Sequence, residues 1–269
     1  MYLFLINPEA GNKQFRRVEK RITQMLDRLK IKYRFVVIDD LADIPKLVSA
    51  HLRPSDRAVV AVGGNATVNG VINALANKDV ALGIVPMSKV NYLAQSLGIK
   101  NWRQAIQLLA APEFNSARLG KIGQHYFIGN IKVASRQNLL TTYLNKTSLW
   151  RRFLGPTHAP RASENSVTTQ MTVDDEIRAA GEAKSLEVTL NGETHEKRLK
   201  IQFIVGDTPD NKQTLLHGNS LKIESDRRMP VIMGNETVAH TPIEVQGLSK
   251  YIKLIVPKKE KKLTAKADL

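Results

Sequence analysis

Apolar positions along the chain fall into two regimes. From residue 2 to about residue 112, short continuous apolar runs alternate with stretches where apolar residues recur every three or four positions. The runs at 2–6, 33–38, 58–62 and 81–85 predict strands. The stretches at 15–29, 44–51, 67–75 and 92–97 predict helices; the first carries its period on Val18, Ile22, Met25, Leu26 and Leu29. Strand and helix in strict alternation imply an open parallel sheet with helices on both faces. The reading is an α/β domain over residues 1–115.

Beyond it the period changes. Residues 126–133, 186–190, 200–205, 221–224 and 251–256 predict strands, and Asn191-Gly192 between two alternating segments predicts a hairpin. These elements make a mainly antiparallel β domain over 116–257. Residues 149–154 predict a short helix, and the polar, poorly periodic stretch from 155 to 183 predicts a loop. Residues 258–269 read as a basic, solvated tail.

Composition narrows the chemistry. Of 269 residues none is cysteine, which excludes disulfides and thiolate metal sites and fits a reducing, cytoplasmic setting. No apolar stretch is long enough to span a bilayer. The six histidines show no metal-ligand spacing, so no metal site is assigned to them. A net charge of +15 favours anionic partners: nucleotides, anionic lipid headgroups or nucleic acid. No nucleic-acid motif accompanies that charge, which makes nucleic acid an unlikely partner.

Three breaker-rich segments fall where a strand ends and a helix begins, the crevice in which open α/β sheets bind ligands. They are Asn7-Pro8-Glu9-Ala10-Gly11, Gly63-Gly64-Asn65-Ala66-Thr67-Val68-Asn69-Gly70 and Pro86-Met87-Ser88-Lys89-Val90-Asn91. Glycine lets backbone N–H groups approach an anion, and a helix start favours negative charge. The candidate nucleotide-binding residues are therefore Asn7, Gly11, Gly63, Gly64, Asn65, Ala66, Thr67, Asn69, Ser88, Lys89 and Asn91. Thr67 suits either a phosphate contact or a helix cap. Lys89 suits a phosphate contact, a cation filling the phosphate site, or an exposed loop position. Trp150, Arg151 and Arg152 mix an aromatic with two cations, as an interfacial helix does, and equally suit domain packing.

In this order the three turns resemble the catalytic domain of diacylglycerol kinases and related bacterial sphingosine-kinase-like lipid kinases. That family has an NPxxG turn, a GGDGT turn leading into a helix, and a PxGTGND turn leading into a helix that ends near LG. Thr67-Val68-Asn69-Gly70-Val71-Ile72-Asn73-Ala74-Leu75 and the later Leu97-Gly98 match that helix and that ending. NAD kinases share the GGDG element, but the Asn-Pro turn and the third turn favour the lipid-kinase branch. The resemblance implies a fold of the NAD kinase and diacylglycerol kinase type. It also implies ATP and Mg²⁺ as cofactors, and transfer of a phosphoryl group to a lipid hydroxyl by a protein peripheral to the membrane.

The departures bear on activity. Asn65 stands at the family's aspartate and Ala66 at the next glycine; Ser88 and Val90 replace the glycines of the third turn, and Tyr92 its aspartate. Of the later vDGE-like turn only Glu236 survives, as a residual acid. No segment supplies the family's catalytic base; Asp207 and Asp226 lack the flanks. A hard cation needs carboxylate oxygens, and a general base contributes about 10²–10⁴-fold in rate. The sequence thus implies a lipid-kinase-type protein with weak or lost transfer. Its alternative is a non-catalytic protein that binds a nucleotide, lipid or protein partner.

Overall fold

The computed structural model describes residues 1–134, 167–183, 185–192, 196–205, 212–234 and 236–258. The chain divides into two compact units. One comprises Met1–Val71, Asp79–Ser116 and the chain from Lys253 on; the other comprises Ile72–Lys78 and Ala117–Ile252.

In the first unit the elements are β1 (Tyr2–Ile6), α1 (Ala10–Arg28), β2 (Tyr33–Val37), α2 (Ile44–His51), β3 (Ala58–Gly63), the start of α3 (Asn65–Leu75), β4 (Ala81–Pro86), α4 (Tyr92–Ser96) and α5 (Trp102–Ala110). The strands run parallel in the order β2-β1-β3-β4. Every residue of β1, β3 and β4 is buried, as a parallel sheet covered on both faces requires. Phe15, Ile22 and Leu26 are the buried positions of α1. Phe15 also joins Phe4 and Phe35 in an edge-to-face cluster. At the foot of β1 the Tyr2 hydroxyl donates to the Leu109 carbonyl at 2.9 Å. Burial raises that hydroxyl above its ordinary value despite the nearby Arg57, so it stays a donor.

The predicted strands and helices of this unit are all present. Helix α5 was not predicted, although Trp102, Ala105, Ile106 and Leu109 are buried at helical spacing and Asn101 caps it by accepting from the Gln104 N–H at 3.1 Å. The expected start of α1 near residue 15 is physically apt. The residues assigned to its first turn, Gly11, Asn12 and Lys13, have φ of 61°, 57° and 62°, so a regular right-handed helix begins only after them.

The second unit carries the antiparallel strands. These are β5 (Glu113–Ile122), β6 (His125–Phe127), β7 (Asn130–Ala134), β8 (Val167–Val173), β9 (Ile177–Ala183), β10 (Ser185–Leu190), β11 (Leu199–Val205), β12 (Lys212–Gly218), β13 (Ser220–Ser225), β14 (Pro230–Met233), β15 (Glu236–His240) and β16 (Ile243–Val256). One set runs β16-β13-β8-β9 and the other β12-β11-β10-β7-β14-β15. Inward residues of both, among them Phe127, Val133, Met171, Val188, Ile201, Ile223 and Val245, merge into one buried cluster. The last residues of β16 return to the first unit, where Leu254 pairs in parallel with Leu82 of β4.

Two expectations are corrected here. The loop expected over 155–183 is a β-hairpin from Val167 on, with β8 and β9 joined through Asp174 and Asp175 at φ of 52° and 60°. Its alternation is masked in the sequence because a threonine, Thr169, fills an inward position and is 1% exposed. The single strand expected over 126–133 is two, β6 and β7. The hairpin predicted at Asn191-Gly192 exists as the β10–β11 pair, whose last strand pair is Leu190 with Leu199, followed by Asn191 N–H to the Arg198 carbonyl at 2.8 Å. The carbonyls of Asn191 and Gly192 accept from the Arg118 guanidinium, each at 3.0 Å. Residues 149–154, most of the expected basic tail, and Asp207 lie outside the described residues.

Candidate functional site

The three turns meet at the ends of β1, β3 and β4. Asn7 leaves β1 with its N–H on the Val62 carbonyl at 2.9 Å, and its side-chain amide donates to Thr67 Oγ1 at 3.1 Å. Its own Oδ1 accepts from the Glu9 N–H at 3.1 Å, closing the turn. Thr67, fully buried, therefore joins the first turn to the second rather than facing solvent. A Cβ on Gly63 would lie 2.3 Å from Thr67 Oγ1, so only glycine permits this approach.

The first turn also rests on the third. Gly11 has φ of 61°, and a Cβ there would lie 1.6 Å from the Met87 carbonyl oxygen. Met87 is itself fully buried and its N–H donates to the Gly63 carbonyl at 3.0 Å. Met87 lies in the third segment but is not among its candidate residues; its contribution is made by its backbone, which leaves no trace in side-chain type.

Asn65 joins the second turn to the third. Its side-chain oxygen accepts from the Tyr92 N–H at 3.0 Å, and its amide nitrogen donates to the Val90 carbonyl at 3.4 Å. The residue is 8% exposed. Asparagine supplies one acceptor and one donor group, and this position uses both kinds at once. Val90 carbonyl takes a second bond, from Ser88 Oγ at 2.8 Å. Asn91 is buried and caps α4 through its Oδ1, which accepts from the Ala94 N–H at 3.0 Å, while its amide nitrogen has no hydrogen-bond partner among the described residues. Ala66 and Asn69 are half-buried in α3.

Lys89 is exposed and forms no ion pair among the described residues. That exposure is compatible with each of its sequence readings: a phosphate contact, a cation filling the phosphate site, and a loop cation. Glu9 is the one carboxylate in the three turns, and it pairs with Arg16 at 2.8 Å and Lys13 at 3.6 Å. Among the described residues no group of three or more histidines and carboxylates could hold a metal ion. The amides and hydroxyls of the turns are spent largely on one another, and with Glu9 as their one carboxylate the turns do not match a divalent cation held by several protein carboxylates.

Other candidates lie elsewhere. Glu236 opens β15 in the second unit, half-buried, after the turn at Gly234. Trp150, Arg151 and Arg152 lie outside the described residues. Asn73 was missed as a site-supporting residue. Its amide donates to the Tyr126 carbonyl at 3.2 Å and its Oδ1 accepts from the Tyr126 N–H at 2.8 Å, tying α3 to β6. An asparagine inside an apolar helical stripe was its signal.

Comparison with known sequences bears on these turns. Residues 1–122 match the diacylglycerol kinase catalytic domain. A diacylglycerol kinase from Staphylococcus saprophyticus is 26% identical over 127 residues, 46% of this chain and 42% of that protein. The match thus spans about two fifths of that relative's length. An uncharacterised Synechocystis protein is 24% identical across 94% of this chain and 69% of its own length. The fold extends further than the sequence likeness. A putative diacylglycerol kinase from Bacillus anthracis superposes with a TM-score of 0.72 at 18% identity, covering 96% of this chain and 97% of that one. An NAD kinase from Archaeoglobus fulgidus, solved with ATP, gives 0.56 at 11% identity over 96% of this chain and 95% of its own. The chain thus has the fold shared by these diacylglycerol kinase and NAD kinase structures.

Proposed function

We propose that the three turns bind the phosphates of ATP and that the chain is a lipid-kinase-type protein with weak or lost transfer to a lipid hydroxyl. The observation that carries this reading is Asn65. At the place of the family's aspartate stands an amide whose two ends hold Tyr92 and Val90. Phosphoryl transfer rests on positioning and on neutralising charge at the phosphates. Positioning is retained in the turn architecture; neutralisation falls to backbone N–H groups, the start of α3 and Lys89. Magnesium does not fit the residues at these turns, so phosphate binding is assigned to the protein's own donors. The diacylglycerol kinase match and the likeness to an NAD kinase solved with ATP support the nucleotide. The setting proposed is cytoplasmic and peripheral at the membrane. Among the described residues no helix is long and apolar enough to cross one.

The test is titration calorimetry with ATP, with and without Mg²⁺, beside transfer of labelled phosphate to diacylglycerol in mixed micelles. Binding that Mg²⁺ changes little, with transfer at least about 10²-fold below the 1–100 s⁻¹ usual of kinases, is expected. Transfer by the natural chain within the usual range would overturn the reading. Binding without any transfer would make it the non-catalytic alternative.

A further inference from the structure

Helices α1 and α5 flank an open, shallow groove of about 370 Å³ on the first unit, away from the strand-end turns in sequence and built from other residues. Its walls carry three arginines, Arg21 and Arg28 from α1 and Arg103 from α5. Residues 21, 25 and 28 are three and four apart and so share one helix face. No carboxylate lines the groove; its other polar groups are the neutral Gln24 and Gln107. Among the described residues none of the three guanidinium groups forms an ion pair, whereas the neighbouring Arg16 and Arg34 do. Asp27, also on α1, accepts from the Tyr33 hydroxyl at 3.3 Å instead.

The remaining wall is apolar, made by Met25, Leu29 and Trp102. Trp102 is 5% exposed, and the Arg103 guanidinium covers its ring at 4.5 Å. This arrangement holds Arg103 in place and leaves no open ring face for a nucleobase to stack on. Guanidinium groups match a phosphate with paired, charge-assisted hydrogen bonds. An apolar wall beside them suits the acylated glycerol that a lipid phosphate carries, which is far more apolar than the sugar on a nucleic-acid phosphate.

We propose that the α1–α5 groove seats the phosphate headgroup of an anionic phospholipid and so docks the first unit on a membrane surface. The proposal rests on the membrane-peripheral setting proposed above and not on the nucleotide reading, since neither ATP nor transfer enters it. The test is co-sedimentation of the full chain with phosphatidylcholine vesicles containing phosphatidic acid. The chain binds these vesicles and not pure phosphatidylcholine. Arg21→Gln with Arg103→Gln lowers the partition coefficient about thirtyfold, on the scale of one charged contact per arginine. Lys200→Gln with Lys222→Gln, a charge-matched change on the second unit, alters it less than about threefold. Equal losses in the two double variants would mean a diffuse field and would overturn the proposal. So would displacement by millimolar inorganic phosphate, which marks a free-phosphate site, or release by an oligonucleotide with the same variant dependence, which marks nucleic acid.

Discussion

At the level of single residues, geometry separates glycines that the sequence presents alike. Gly11 and Gly64 both belong to the phosphate-type turns, yet a Cβ on Gly11 would overlap the Met87 carbonyl while one on Gly64 would meet nothing closer than 3.6 Å. Gly11→Ala should therefore cost more than about 2 kcal/mol in chemical denaturation, combining the clash with an unfavourable positive φ. Gly64→Ala should change stability by less than about 1 kcal/mol. Asn65→Asp would replace the donor facing the Val90 carbonyl with an anionic oxygen. The expected loss is about 1–3 kcal/mol, measured in the same way, with no gain in transfer from this change alone. The position of the carboxylate was legible as a substitution from sequence; that its replacement had acquired its own hydrogen bonds was not. Those bonds run to backbone atoms of Val90 and Tyr92, whose side chains say nothing about them.

Elements were legible where burial imposed one period and obscure where a polar residue took an inward place. β1, β3 and β4, wholly buried, could be read as apolar runs, whereas β8 could not because of Thr169. The β8–β9 turn has its own electrostatics. Partial burial alone would raise the Asp174 carboxyl. Hydrogen bonds from Lys197 and from the backbone N–H groups of Ser220 and Asn219 outweigh it and hold the group below its ordinary value. A depressed carboxyl contributes stability that is present above the unfolded value, about 3.9, and is lost as pH falls through the lower folded value. Asp174→Asn keeps an acceptor for the two N–H groups and tolerates φ of 52° but loses the charge. The variant should be less stable than the natural chain at pH 7, with the difference closing below about pH 4. A stability gap that persists unchanged into acid would show that the carboxylate charge contributes nothing.

For the whole molecule, the order of elements could be read as α/β followed by antiparallel β. The return of β16 to the first sheet could not, because a strand's register partner is a property of the fold and not of its own residues. Leu254 and Ile255 are each 2% exposed, and Leu254 pairs with Leu82. A chain ending at Ile252 would leave the edge of β4 uncovered and lose these two buried side chains. It should melt well below the full chain, by at least several degrees in calorimetry, with loss on the order of 2–5 kcal/mol per removed side chain.

The seam between β4 and β16 has a consequence for how the protein comes into being. A stretch recognisable as a catalytic domain within the first 122 residues suggests a module that could be moved, duplicated or expressed alone. Its sheet is finished by residues near position 254. During synthesis that part emerges before the strand that completes its sheet, so it must wait, with a buried-type strand edge open, for the residues up to 254 to follow. The boundary of similarity and the boundary of autonomous folding are therefore different places.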